Sequence, residues 1–345
     1  MAAKPTGSSA GCTQLKKDLK EKRLGSFYIL SGQEDYLRRY YLAEMKKQLL
    51  DELTESFNFH RLNHETFSLE ALADALQALP MMAERTMVLL EDVNLFDCGD
   101  TDTLTALLSD LSPECCLVVH LEEFKPDKRK KKLWEVIEKN AVLADFAYQS
   151  ESDLKPWIAR HFRSAGKQLA PELCSYLLQQ CGLSMSRLHG EILKICAYSG
   201  ADTIVRADID AVVEPTLEAV VFQITDALGQ RDFDRALERL HVLLKLQTEP
   251  IPIVAAIGAQ ARRLYAAKLL QNAGKSAEAL ASLCGIAPYA ATKTMQQARR
   301  LSERFCRRAV ELCCQTDYRL KTSYDDPERL PELLILSLAE EAGHD

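Results

Sequence analysis

The sequence has no run of about 18 apolar residues anywhere in its 345 positions, which excludes a helical membrane span. The opening stretch MAAKPTGSSAGCTQ lacks the apolar centre of a secretory signal, so a cytoplasmic location is expected. Positive charge is also short: 50 acidic residues against 43 basic ones leave a net charge of -7. A domain that grips nucleic acid unaided is usually basic, so that role is disfavoured. The 11 cysteines contain no C-x-x-C, and Cys115-Cys116 and Cys313-Cys314 are adjacent pairs. Structural zinc needs four ligands from closely spaced pairs, so these thiols read as small buried hydrophobes in a reducing cytosol. His60 and His64 are spaced i, i+4, but in HRLNH after FNF, a strand pattern, and no metal is expected there.

A further absence is more informative. FYILSGQEDYLRR, residues 27–39, reads as a buried strand, a glycine and a helix start, which is where a nucleotide-binding domain carries its phosphate loop. That loop needs several glycines and a Lys-Ser/Thr pair. Here there is one glycine, Gly32, followed by Gln33, Glu34 and Asp35. Two carboxylates suit a helix N-terminus and would repel a polyphosphate.

The sequence does contain two regimes. From residue 27 to about 146 the strand candidates FYILS, FNFHRLN, TMVLLE, CCLVVHL and VLADF alternate with helical patterns. This alternation predicts a parallel sheet covered by helices on both faces. MVLL and CLVV are apolar without alternation, as strands buried on both sides are. After Ser150 strand signals almost vanish. Ser152 is the expected cap of one helix, with Gly166 past its end, and Pro171 and Gly182 bound the next. A stripe of Phe233, Leu237, Leu240 and Leu244, and another of Ala298, Leu301, Phe305 and Leu312, predict long amphipathic helices. The expected division is a leader, residues 1–24, disordered and then a short charged helix; an α/β domain, 25–147; a small helical domain, 148–212; and a larger helical domain, 213–345.

Several stretches in this order resemble the delta subunit of bacterial DNA polymerase III, part of the sliding-clamp loader. They are FYILSGQEDYL, FNFHRLN, ALPMMAERTMVLLEDV, KPDKRKKKLWEVI, RLHGEILKICAYSG, PIVAAIGAQARRLYAAKLL, IAPYAATKTMQQAR and DYRLKTSYDDPERLPELLI. The resemblance implies an AAA+-like α/β domain, a helical lid over 148–212 and a helical collar over 213–345. It implies a subunit without ATP hydrolysis, cofactor or catalytic site of its own, within a DNA-directed DNA polymerase (a nucleotidyltransferase). The partners it implies are the beta sliding clamp, the tau/gamma ATPase and delta-prime subunits, and primed DNA in the assembled complex at the replisome.

The same stretches carry the candidate sites. In ALPMMAER, Pro80 ends a helix and Met81-Met82 fall where a connection should be polar. Apolar residues in such a loop ordinarily tuck under their own domain. The resemblance implies instead that Leu79, Pro80, Met81 and Met82 meet the clamp, the methionine pair wedging into an apolar pocket. Glu91 and Asp92, at the end of MVLLED, resemble a magnesium-holding pair but lack the Lys-Ser/Thr partner and read as a solvated strand end. The run KPDKRKKK places six cations between Lys125 and Lys132, of which Lys128, Arg129 and Lys130 are candidates for phosphate contact; the plainer reading is a solvated helix start. SAEALASLCGIAPYAATKTMQQARR has the outline of a helix-turn-helix around Gly285, but its second helix would open on Tyr289-Ala290-Ala291-Thr292, poor in groups that read bases. A helix-turn-helix regulator and a degenerate nucleotide-binding P-loop protein are the alternative functions.

Overall fold

The computed structural model describes residues 10–286 and 288–343, and residues 1–9 of the expected leader lie outside the described residues. The chain packs as two compact units, one of residues up to 149 together with 183–189, the other of 150–182 and the remainder from 190. The lid–collar boundary expected at 212/213 therefore falls inside the second unit.

The first unit runs α1 (Ala10–Glu21), β1 (Phe27–Ser31), α2 (Asp35–Leu49), α3 (Glu55–Asn58), β2 (Phe59–Asn63), α4 (Leu69–Gln77), β3 (Thr86–Glu91), α5 (Thr101–Ser109), β4 (Cys115–His120), α6 (Lys131–Asn140) and β5 (Val142–Asp145). The strands form one parallel sheet in the order β2-β3-β4-β1-β5, with Ile29 opposite Val119 on one side and Leu143 on the other. Strand side chains alternate between faces. Phe27, Ile29, Val88 and Leu117 therefore share a core with Leu104 of α5 and Ile137 of α6. Tyr28, Leu30, Met87 and Val118 point the other way, onto α1 and Met45 of α2. Adjacent Cys115 and Cys116 lie on opposite faces for the same reason. Of the second adjacent pair, Cys313 is buried and Cys314 is exposed, so not every thiol is a core residue as expected.

Residues 10–24 contain the short charged helix expected at the end of the leader, α1, and it packs against the sheet. Cys12 and Leu15 of α1 are buried in the sheet core, and α1 lies so close to β5 that a Cβ on Gly11 would stand 1.9 Å from the Leu143 carbonyl oxygen. β2 begins at Phe59 rather than Phe57, because the preceding residues form the short turn of α3.

The second unit is helical apart from a two-residue parallel pairing, β6 (Gln168–Leu169) with β7 (Thr203–Ile204). Its helices are α7 (Glu151–Ser164), α8 (Pro171–Cys181), α9 (Met185–Tyr198, whose first turn belongs to the first unit), α10 (Arg206–Val212), α11 (Leu217–Gly229), α12 (Phe233–Lys245), α13 (Pro250–Asn272), α14 (Ala277–Cys284), α15 (Pro288–Ala298), α16 (Glu303–Thr322) and α17 (Arg329–Gly343). The cap of α7 is Ser150, not Ser152: its hydroxyl accepts from the Asp153 amide at 3.2 Å. The expected stripe from Ala298 to Leu312 is divided between two helices. α15 stops at Ala298, and Ser302 caps α16 by accepting from the Phe305 amide at 3.0 Å. On α12 the fully buried positions are Ala236, Leu240 and Leu243, while Phe233, Leu237 and Leu244 flank them. Leu280 of α14 and Ala291 and Ala298 of α15 are buried in this same core, so the helix-turn-helix outline is a pair of packed helices, with Gly285 supplying the left-handed turn at φ +62°.

Candidate functional site

In parallel α/β sheets ligands bind beyond the carboxyl ends of the strands, where neighbouring connections leave in opposite directions. In this sheet that place lies between β1 and β4, since α2 covers one face and α6 the other. The loop after β1 sits there, and four of its amides are already engaged. Gly32 N–H donates to the Glu122 carbonyl at 2.9 Å, Glu34 N–H to the Phe146 carbonyl at 2.9 Å and Asp35 N–H to the Gln33 carbonyl at 3.2 Å. Tyr36 N–H donates to the Glu34 carboxylate at 3.3 Å. Gly32 is required by this closure: its φ is +112°, and a Cβ would lie 2.3 Å from the Phe146 carbonyl oxygen.

Side chains fill the rest of the crevice. The buried Arg38 reaches His120 at 3.5 Å and Asp35 at 3.2 Å. Burial first, and then the Arg38 guanidinium, hold the His120 pKa below its usual value, so the ring is neutral at pH 7. The Glu34 carboxylate also accepts from the Met185 amide at 3.4 Å, capping the first turn of α9. Burial raises the Glu34 pKa, partly offset by the amide hydrogen bonds of Met185 and Tyr36.

Glu91 is not a solvated strand end, as expected, but is ion-paired with Arg61 of the neighbouring strand. Asp92 follows in a left-handed conformation at φ +53°, its amide bonded to the His120 carbonyl. No cluster of three or more His, Cys, Asp or Glu suited to a metal occurs among the described residues; His60 lies on β2 and His64 just beyond it. In the basic run, Asp127 takes Arg129 at 2.9 Å and the Lys130 ammonium donates to the Phe96 carbonyl. Arg129 and Lys130 are thus partnered within the chain, although Arg129 remains exposed, like Lys128. The helix itself starts only at Lys131, with Leu133 and Ile137 as its buried face.

The loop after α4 is built differently. Ser68 caps α4 by accepting from the Ala71 amide at 3.0 Å, and the helix ends at Gln77, two residues before the position next to Pro80, which proline biases away from helix. Leu79 is 78% exposed, Met81 58% and Met82 94%. They do not tuck under the domain. Asn58, fully buried, grips the backbone between them: Met81 N–H donates to Asn58 Oδ1 at 2.7 Å, and Asn58 Nδ2 donates to the Met81 carbonyl at 2.9 Å. Met82 holds a φ of +55°, a strained value for a residue with a side chain. On the α4 side Leu79 borders a groove of about 390 Å³ lined by Leu76, Leu107 and Leu111. Arg85 closes the loop, donating to the carbonyls of Leu24 at 2.6 Å, Gly25 at 2.9 Å and Cys115 at 3.1 Å. Asn58 was not singled out from sequence; its position in FNF reads as part of a strand.

The fold defines the class first: an AAA+-like parallel α/β unit, with Arg38, His120 and the bonded loop amides at its switch point, joined to a mainly helical region. The family model of the DNA polymerase III delta subunit matches residues 28–147, and a second model, for the C-terminal domain of the same subunit, matches residues 218–338. The chain belongs to the DNA polymerase III delta subunit family. It is similar to the DNA polymerase III subunit delta of Bacillus subtilis (strain 168), 26% identical over 333 residues that span 93% of this chain and 95% of that one. The probable DNA polymerase III subunit delta of Aquifex aeolicus (strain VF5) is 21% identical over 264 residues, 72% of each chain. Among solved structures, the DNA clamp loader delta protein of Bacillus subtilis matches the fold with a TM-score of 0.65 at 24% identity, covering 95% of this chain and 99% of that one. No helix among the described residues is long and apolar enough to cross a membrane.

Proposed function

We propose that this chain is the clamp-loader subunit that binds the beta sliding clamp and favours an open ring, with ATP handled by neighbouring subunits. One observation carries the reading: a pair of exposed methionines, Met81 and Met82, is held out from the domain by a buried asparagine. A loop with no outward role would place such side chains inside. Leu79, Pro80, Met81 and Met82 form the clamp contact. Methionine suits an irregular apolar pocket, because its unbranched chain adapts to the shape it meets. Binding that prefers an open ring shifts the ring's equilibrium without chemistry in this chain.

The engaged amides of Gly32, Glu34, Asp35 and Tyr36 and the Arg38–His120 contact occupy the place of a phosphate cradle, which supports a subunit that neither binds nor hydrolyses ATP. Residues 148–212 serve as lid and 213–345 as collar, the latter joining the tau/gamma and delta-prime subunits; primed DNA meets the assembled complex, at the replisome in the cytoplasm. The test is titration of the purified chain against its cognate clamp. A saturable complex is expected, and no complex at micromolar concentrations would overturn the reading.

A further inference from the structure

The surface that presents Met81 and Met82 continues onto a second segment. Leu53 is 88% exposed and Phe57 57% exposed, and both lie in the stretch that ends at Asn58. Hydrogen bonds tie this stretch into one frame. Asp51 accepts from the amides of Leu53 at 3.0 Å and Thr54 at 2.8 Å, and from the Thr54 hydroxyl at 3.0 Å. The Thr54 carbonyl takes Asn58 Nδ2 at 3.0 Å, and Asn58 grips Met81 on both sides. Four large apolar side chains are therefore carried by a single hydrogen-bonded scaffold. Two methionines alone cover a small share of the ~800 Å² that a stable interface occupies on each partner. Leu53 and Phe57 are the apolar area available beside them.

The charge carried by the two segments themselves has one sign, with the guanidinium of the following Arg85 turned to the carbonyls of Leu24, Gly25 and Cys115. Within residues 51–57 and 78–84 every charged side chain is acidic: Asp51, Glu52, Glu55 and Glu84. Lys46 neutralises Glu55 at 2.6 Å, and no ion pair among the described residues neutralises the other three. Hydrogen bonds from Thr54, and then Leu53, hold the Asp51 carboxyl below its usual range, so it is ionised at neutral pH.

We infer that the partner-binding surface includes Leu53 and Phe57 as a second anchor, and that its acidic border fits an apolar pocket edged with lysine or arginine. The occupant is the sliding clamp, so this inference rests on the function proposed above. It adds the second segment and the charge of the counter-surface. Apolar anchors act mainly on dissociation, whereas border charges act on the rate of encounter and its salt dependence.

The experiment measures association and dissociation of full-length chain and cognate clamp at low and moderate salt, with melting of each variant followed alongside. Leu53→Ser/Phe57→Ser is expected to melt as the parent and to lose affinity about tenfold through faster dissociation. Glu52→Lys/Glu84→Lys is expected to associate several-fold more slowly at low salt and to lose most of its salt dependence. Parent affinity in Leu53→Ser/Phe57→Ser, while Met81→Ser/Met82→Ser fails to bind, would overturn the second anchor and leave the methionine contact standing. Parent affinity in Met81→Ser/Met82→Ser would overturn the proposed function at its source. Unchanged or faster association of Glu52→Lys/Glu84→Lys would overturn the basic-edged pocket.

Discussion

Asn58 and Met81 stand 23 positions apart and exchange two hydrogen bonds, at 2.7 and 2.9 Å, as paired strand residues would, although neither is in a strand at that point. The pairing is made by a side chain, so one substitution removes it. Asn58→Ala deletes these bonds and the one to the Thr54 carbonyl, and at about 1 kcal/mol each the expected loss is ~1–3 kcal/mol of folding stability. Clamp affinity should fall further than that of a remote variant of equal stability, because binding must then order a loop that is now ordered in advance. Urea midpoints and clamp titrations on the same protein check this. Parent affinity in a destabilised Asn58→Ala would show that the loop needs no such support.

Met82 occupies the left-handed region at φ +55° while 94% exposed, so its conformation is not maintained by burial of its own side chain. Glycine relieves a strain of roughly 1 kcal/mol at such a position. Met82→Gly should therefore melt no earlier than the parent while binding clamp more weakly. Met81→Ser/Met82→Ser should also keep the parent melting temperature but lose about 2 kcal/mol of binding or more, roughly thirtyfold in affinity. A variant that gains or keeps stability and loses binding identifies an interface residue. Early melting of either would instead make these methionines structural.

What was legible in the sequence follows from which forces are local. β1 and β3 occupy the residues expected of them, 27–31 and 86–91, since strands buried on both faces are continuous apolar runs with sharp ends. β2 was expected two residues too early, because Phe57 and Asn58 have strand-like character but are turned to reach Met81, and no periodicity reports a partner 23 residues away. The separation of α15 from α16 lacks a glycine or proline to announce it; Ser302 performs the break through a cap visible only in three dimensions. Met81 and Met82 stood out as apolar residues where polar ones belong. Leu53 did not, because one leucine in a charged turn looks like an ordinary surface residue. The filled crevice was half legible: the missing glycines could be read directly, but not the engagement of the remaining amides by Glu122 and Phe146.

That engagement makes a direct prediction about nucleotide. The Gly32 and Glu34 amides would have to leave their carbonyl partners, and Arg38 its place beside His120, before a triphosphate could enter. Calorimetry of the full chain with Mg-ATP is expected to show no binding up to millimolar nucleotide. Micromolar binding would mean that the loop rearranges at little cost.

Glu34 provides a pH test of the same region. Burial, the largest influence, raises its pKa above 4.5, so the folded state holds this proton more tightly than the unfolded chain does. The contribution is therefore fully present below about pH 4.5 and is lost as pH rises through the higher folded value. Glu34→Gln removes the ionisation while keeping an oxygen that can accept from Tyr36 or Met185. Relative to the parent it should gain stability on going from pH 4 to pH 7, read from urea midpoints at both values. A difference between the two proteins that does not vary with pH would remove Glu34 from the titration.

The collar proposal can be tested on α17. Leu330, Leu334, Ile335 and Leu338 of this helix are buried in the second unit's core. Leu333 and Leu336 are about half exposed, at 46% and 50%, so the helix has apolar residues beyond the face that its own unit covers. Their i, i+3 spacing sets them side by side on the helix surface. A helix that is apolar beyond its buried stripe is suited to pack against another chain. Leu333→Ser/Leu336→Ser should leave melting and clamp affinity near the parent values, because neither residue is in the core and Met81 belongs to the other unit. Assembly with the tau/gamma and delta-prime subunits should weaken, seen in gel filtration as loss of co-elution at micromolar concentration. Co-elution indistinguishable from the parent would place the assembly surface on other exposed residues of the helical region. Loss of clamp binding in the isolated variant would contradict the separation of the two roles between the two units.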